Sequence, residues 1–205
     1  SSLISIDIPK SVTSIEESAF EGCSSITRLI LGSPTSINDK TFFNCASLES
    51  VNIPESVTSI GSYAFYGCSS LQSLVIPDSV LQIGNMSLYG CISLISLTIS
   101  DSNIGYGFLN HCSSLKELVC TGENNIVIDE QGLVTKDDVL ISCLMSSEDV
   151  IIPDNISSIG DSAFHKCYSL KSVIIPNSVK SIEYYAFNEC TSLTSIDIPG
   201  SVTSI

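Results

Sequence analysis

Tryptophan is absent from the 205 residues, histidine and methionine occur twice each, and only eight residues are Lys or Arg. Against 22 acids, that shortage gives a formal charge of −14. It argues against nucleic acid as a partner, because phosphate binding rests on cationic side chains neutralising phosphates. It argues equally against docking on an anionic membrane face. A cationic partner is compatible with it, as is a surface kept soluble by like charge. No apolar run approaches the ~20 residues of a spanning helix, so this segment is not expected to insert in a bilayer. There is no G-x-S-x-G, no Walker loop and no H-E-x-x-H. There is also no C-x-x-C and no Cys–His cluster, which leaves no expected catalytic residue, metal site or cofactor. A start methionine, a basic-then-apolar leader and a targeting tail are lacking too, so the chain reads as a piece of something longer.

What is present is a repeat. Anchors at Leu3, Ile26, Leu48, Leu71, Leu94 and Leu115 are separated by 23, 22, 23, 23 and 21 residues, and the pattern resumes at Leu170 and Leu193. The unit reads L-x-x-[IVL]-x-I-P-x-S-V-x-x-I-x-x-x-A-F-x-x-C-x-S, most clearly from Leu48 to Ser70. All seven prolines (Pro9, Pro34, Pro54, Pro77, Pro153, Pro176, Pro199) follow the first apolar stretch. Proline has no N–H for a ladder and marks where a strand ends. The stretch before it alternates apolar and polar residues, which predicts a short strand. S-V-x-x-I points two more aliphatics inward, and Ala-Phe-x-x-Cys closes the coil as a tight helical turn. One unit cannot bury its own apolar side, but stacked copies bury a shared one.

The expected fold is therefore an α/β repeat, a leucine-rich-repeat solenoid over residues 1–205 with about nine coils of ~23 residues and a parallel sheet of short strands. A phenylalanine column (Phe20, Phe42, Phe65, Phe164, Phe187) forms its spine, with Leu88 and Leu109 substituting in two coils. The segment 122–149 breaks the period. It alternates around Gly132 and Asp137–Asp138, which predicts either a hairpin-like insertion or a plain patch in the stack.

The I-P-x-S-V-x-x-I and A-F-x-x-C-x-S-L motifs resemble the BspA-like leucine-rich repeat family, found in surface proteins of oral and gut bacteria and of parasitic protists such as trichomonads. The irregular Val127–Ile141 resembles a variant unit of that family, one residue shorter than usual. The resemblance implies a non-catalytic solenoid on the cell surface or secreted, adhering to host matrix or cell-surface proteins, and the sheet face or the projecting hairpins are the expected contact surfaces. The alternative is an intracellular protein-interaction scaffold on the same solenoid, which unpaired cysteines would suit.

Seven of the nine cysteines (Cys23, Cys45, Cys68, Cys91, Cys112, Cys167, Cys190) hold one repeat position and read as a buried, unpaired ladder. Cys120 and Cys143 lie off it, flank the irregular stretch and are the candidate disulfide. His111 and His165 precede ladder cysteines, but buried thiols do not make nucleophiles. Asp129, Glu130, Asp137 and Asp138 do not match the ligand spacing of a calcium loop. On the strand, the residue between the two inward aliphatics points outward. Five of those nine positions are aliphatic: Ile30, Val75, Val119, Ile151 and Ile174. They are the candidate partner-binding strip, although β-propensity alone also places Val and Ile on strands. Asn85 and Asn155 head N-x-S sequons and are candidate glycosylation positions. Ser2–Ile15 and Ser192–Ile205 are near-copies that differ at two positions. Neither end carries a polar capping unit, so both look truncated, and end-to-end self-association is expected.

Overall fold

The computed structural model describes residues 4–100, 103–121 and 125–205. The Leu3 anchor and the first residues of the irregular segment, 122–124, lie outside them. Two compact units, Ser1–Asn124 and Asn125–Ile205, are described in turn.

In the first unit four successive coils carry two short strands each, and the first coil carries one. The strands are β1 (Ser5–Asp7), β2 (Arg28–Ile30), β3 (Ser36–Ile37), β4 (Ser50–Asn52), β5 (Ser59–Ile60), β6 (Ser73–Val75), β7 (Gln82–Ile83), β8 (Ser96–Ile99), β9 (Asn103–Ile104) and β10 (Glu117–Cys120). The strands before the proline stack in parallel as β1-β2-β4 and β6-β8-β10, and the later ones as β3-β5-β7-β9. Register is strict: Leu29 faces Val51 and Leu74 faces Leu97, so each inward aliphatic rests on its counterpart. Six of the seven prolines open a tight turn, as where Val57 N–H donates to Pro54 O at 3.0 Å.

The third side of the coil corrects the α/β expectation, because no described residue is in an α-helix. Two residues per coil are left-handed, one just before Ala-Phe and one just before Cys: Tyr63 (φ 60) and Gly67 (φ 69) in the third coil. Left-handed residues interrupt a right-handed helix every few positions. The hydrogen bonds then alternate. Tyr63, Phe65 and Gly67 donate to Asn85, Ser87 and Tyr89 of the next coil at 2.8–2.9 Å, while Tyr66 and Cys68 donate back three residues. The segment is a third coil-to-coil ladder, and the unit is a β-solenoid.

The second unit holds β11 (Ile126–Ile128), β12 (Leu133–Lys136), β13 (Val139–Cys143), β14 (Asp149–Ile151), β15 (Ser158–Ile159), β16 (Ser172–Ile174) and β17 (Ser181–Ile182). β11, β12 and β13 pair antiparallel, with an irregular register between Val134 and Thr135. β13 then continues in parallel to β15 and β17, and β14 pairs in parallel with β16. The β11–β12 turn is fixed by Asp129, whose carboxylate accepts the N–H groups of Gln131 and Leu133 at 2.9 and 2.8 Å. Gly132 (φ 74) supplies the left-handed residue there.

Columns fill both cores. Phe20, Phe42 and Phe65 stack with ring centroids 5.6 and 5.3 Å apart, and Phe164 stacks on Phe187 at 5.1 Å. Where Leu88 and Leu109 thin this column, Phe108 takes the alanine position of the fifth coil and is wholly buried, which restores volume. The cysteine ladder has a hydrogen-bonding role. Phe42 O accepts the N–H of Cys45 and the thiol of Cys68, at 3.2 and 3.3 Å. Phe65 O does the same for Cys68 and Cys91. Cysteine thus fills the corner and occupies the second lone pair of a carbonyl.

Burial pushes the Cys45 thiol from an ordinary 9.0 up to about 12 and Cys190 up to about 11, and it raises Cys68 as well. Cys167 is raised by its hydrogen bond to Cys143 and by burial, whereas Cys143, accepting that bond, is lowered.

Two predictions follow from this core. Phe65→Ala should cost about 3–5 kcal/mol in denaturant unfolding, and a cost under about 1 kcal/mol would remove Phe65 from the spine. The native state holds protons on Cys45 and Cys190 that an unfolded thiol gives up near pH 9.0, so their contribution is complete below that pH. It should then fall by about 1.4 kcal/mol per pH unit for each thiol as pH rises, ending near 11 for Cys190 and near 12 for Cys45. Urea midpoints at graded alkaline pH would measure the decline, and a Cys45→Ala chain should show a shallower one.

Candidate functional site

The outward column of the first strand stripe is where the structure places the candidate partner strip. In the first unit Ile30 lies between Asp7 and Asn52, and Val75, Thr98 and Val119 are successive neighbours. In the second unit Ile151 pairs with Ile174, which bridges to Asp197. Val75, Ile151 and Ile174 are 63%, 57% and 59% exposed, Val119 is less so, and Ile30 is half-buried. Alternation puts them there: Leu74, Val150 and Val173, one residue earlier, are buried.

The strip is not uniformly apolar. Asp7, Asn52, Thr98 and Asp197 interrupt it, and a second outward column of mostly serine runs beside it. Only Ile151–Ile174 is an uninterrupted aliphatic pair. Beside it Ser172 donates to Asp149 at 2.6 Å, and Lys171 pairs with Glu148 at 2.8 Å in full exposure. The pair therefore has a polar, hydrogen-bonded rim.

The remaining candidates are dispersed. Cys120 ends β10, partly buried, while Cys143 lies in the second unit and donates to Met145 O at 3.2 Å; neither is in a disulfide. Cys112 next to His111 is wholly buried and donates to Leu88 O at 3.2 Å, so it does not form a thiol–imidazole pair. The four loop acids fall at opposite ends of β12, and among the described residues no group of three His, Cys, Asp or Glu could hold a metal. Asn85 is exposed, but its side-chain carbonyl accepts the N–H of Tyr106 at 3.1 Å, and its sequon serine, Ser87, is wholly buried. Asn155 is exposed in the turn opened by Pro153, and Ser157 of its sequon donates to the Asp138 carboxylate.

Two features escaped the sequence reading. A second aromatic ladder, Phe43–Tyr66–Tyr89, runs beside the core phenylalanines with centroids 4.8 and 4.6 Å apart, and His111 caps it at 4.9 Å. Its signal was an aromatic one residue after the spine position in three successive coils. Tyr184 and Tyr185 form an exposed pair at 4.0 Å in the second unit.

Among the described residues no helix is long and apolar enough to cross a membrane. No curated protein matches the sequence significantly. Among solved structures, the pneumococcal vaccine antigen PcpA aligns with a TM-score of 0.69 at 22% identity, over 97% of this chain and 51% of that one. A leucine-rich repeat protein from Eubacterium ventriosum aligns with a TM-score of 0.62 at 21% identity, over 88% of this chain and 56% of that one. The chain thus spans about half the length of either, and at these identities the likeness is one of fold. A family model described as the BspA type leucine rich repeat region matches six copies, over residues 35–131 and 136–205. With well over half of its length matched in this way, the chain belongs to the BspA-type leucine-rich repeat family.

Proposed function

We propose that this chain is a non-catalytic adhesion module of a cell-surface or secreted protein, one that binds a host matrix or cell-surface protein through its strand face. The observation that carries this reading is the exposed, register-locked Ile151–Ile174 pair with its polar rim. Two aliphatics held at fixed spacing on a rigid sheet lose little entropy when a partner covers them, and burying them contributes at roughly 25 cal/mol per Å². Family membership and a vaccine antigen among the similar folds support the surface location. Val75 and Val119 offer a smaller contact of the same kind in the first unit.

One observation favours an intracellular scaffold instead. The ladder thiols are used as S–H donors to main-chain carbonyls, a role that suits a reducing compartment. Counting free thiols in the unfolded, unreduced protein isolated from its native source tests the scaffold reading. Nine of nine fits either, whereas ladder disulfides would sink the scaffold reading.

The adhesion reading is tested by immobilising fibronectin, laminin and collagen and measuring binding of the parent chain and of the Ile151→Thr/Ile174→Thr double variant. Threonine keeps β-propensity, so stability should change by less than about 1 kcal/mol. Affinity for at least one matrix protein should drop roughly tenfold or more. A variant that binds as well as the parent would remove the strip from the interface. No binding by the parent chain would remove the matrix-adhesion function.

A further inference from the structure

A trough runs across the coils of the first unit on the side formed by β3, β5, β7 and β9. Its two contiguous stretches, of about 300 and 220 Å³, share Ser62, Gln82 and Gly84. Its floor is main chain. The residue after β5, β7 and β9 is glycine each time (Gly61, Gly84, Gly105), and each donates to the preceding coil, to Ile37, Ile60 and Ile83 O at 2.7, 2.7 and 2.6 Å. A Cβ on any of the three would collide with the preceding coil's backbone. At these three places the local approach of the preceding coil leaves no room for a side chain, and glycine leaves the trough open.

The walls are polar. Asp39 and Asn85 each use one oxygen to accept a main-chain N–H, from Ser62 at 2.7 Å and Tyr106 at 3.1 Å, which leaves the other oxygen of Asp39 and the NH₂ of Asn85 without a hydrogen bond to any described residue. The amides of Gln82 and Asn103 make no side-chain hydrogen bond to any described residue. Tyr106 stands at one end, 42% exposed.

We propose that this trough binds an extended, neutral, β-1,4-linked oligosaccharide laid across the coils. Planar amides and a carboxylate present the paired donors and acceptors that vicinal hydroxyls need. The Tyr106 ring offers a flat apolar surface to the C–H face of a sugar. Coils recur every ~4.8 Å, close to the rise of one sugar in an extended chain, so each sugar lies over one coil, and the alternating edges of a β-1,4 chain meet the unlike wall groups Asp39, Ser62, Asn85 and Tyr106 in turn. None of the lining side chains is cationic and Asp39 is an anion, which disfavours phosphates and nucleic acid. Among the described residues that line the trough, none forms an apolar pocket to anchor the side chains of a peptide. The wholly buried Ser87 hydroxyl fits an Asn85 that carries no glycan and faces the trough with its own amide. This site and the strand-face strip lie on different stripes of the coil and can succeed or fail separately.

The test is a titration of the ¹⁵N-labelled chain with cellohexaose and xylohexaose, with a Gly-Ser hexapeptide and inorganic phosphate as controls. The side-chain resonances of Gln82, Asn85 and Asn103 and the backbone amides of Gly84 and Gly105 should shift saturably, with a Kd of about 1 mM or tighter. Gln82→Ala/Asn103→Ala, two exposed truncations, should weaken binding about tenfold with unchanged unfolding. Ile174→Thr should leave the titration as it was. The proposal is overturned if neither oligosaccharide gives saturable shifts, if the shifts map elsewhere, if the hexapeptide binds equally well, or if the double variant binds like the parent.

Discussion

Main-chain hydrogen bonds from each coil to its neighbours, ahead and behind, hold this protein together, and its other features are consequences of that bonding. The strands are two to five residues long, too short to be stable as isolated pairs. They persist because each coil is bonded to the next along all three sides, including the turn side. The same requirement sets the backbone. Residues such as Lys40, Tyr63 and Ser162 are held at φ between 55 and 60, a conformation disfavoured for residues with a side chain, and the coil-to-coil bonds they donate offset the strain.

A parallel ladder in strict register also copies chemistry. Whatever side chain solves a packing problem in one coil meets the same problem in the next, so phenylalanine stacks on phenylalanine and cysteine on cysteine. The cysteine column shows the economy of this arrangement. A serine there would bring a strongly hydrated hydroxyl into the core, and an alanine would leave a gap and an unused carbonyl lone pair. A thiol avoids both, at the cost of a column of oxidisable groups that burial keeps protonated.

The columns were legible in the sequence because a repeat compares the chain with itself. The spine phenylalanines, the Cys ladder (buried except for the half-buried Cys23), the outward Val75, Ile151 and Ile174 and six of the proline turns follow from period and alternation, and the structure places them as the spacing implied. The helical turn did not survive. Phe65 and Cys68 are three apart, which puts both on one face of a helix or of a run of tight turns, so spacing alone could not separate the two. The backbone sign at Tyr63 decided it, and a tyrosine gives no hint of positive φ. The trough was hidden for a related reason. Nothing in the repeat pattern distinguishes Gly61, Gly84 and Gly105 from other turn glycines, and only the approach of the preceding coil shows why no side chain fits there.

The repeat also separates what the stack demands from what it leaves free. At the position after the second-stripe isoleucine the residues are Glu16, Asn38, Gly61, Gly84 and Gly105 in the first unit. Asn38 sends its side-chain amide to Ile15 O at 2.8 Å, the carbonyl that a backbone N–H satisfies at the equivalent place in the later coils. The bond is common to these coils, but the group that makes it differs. Where glycine makes it the surface is cut back to main chain, and where a side chain makes it the surface is filled. The trough is therefore not a by-product of the fold, since the same bond can be made without it. Three successive coils carry the residue that opens the surface, and Gln82 and Asn103 in the wall carry side-chain amides that bond to no described residue.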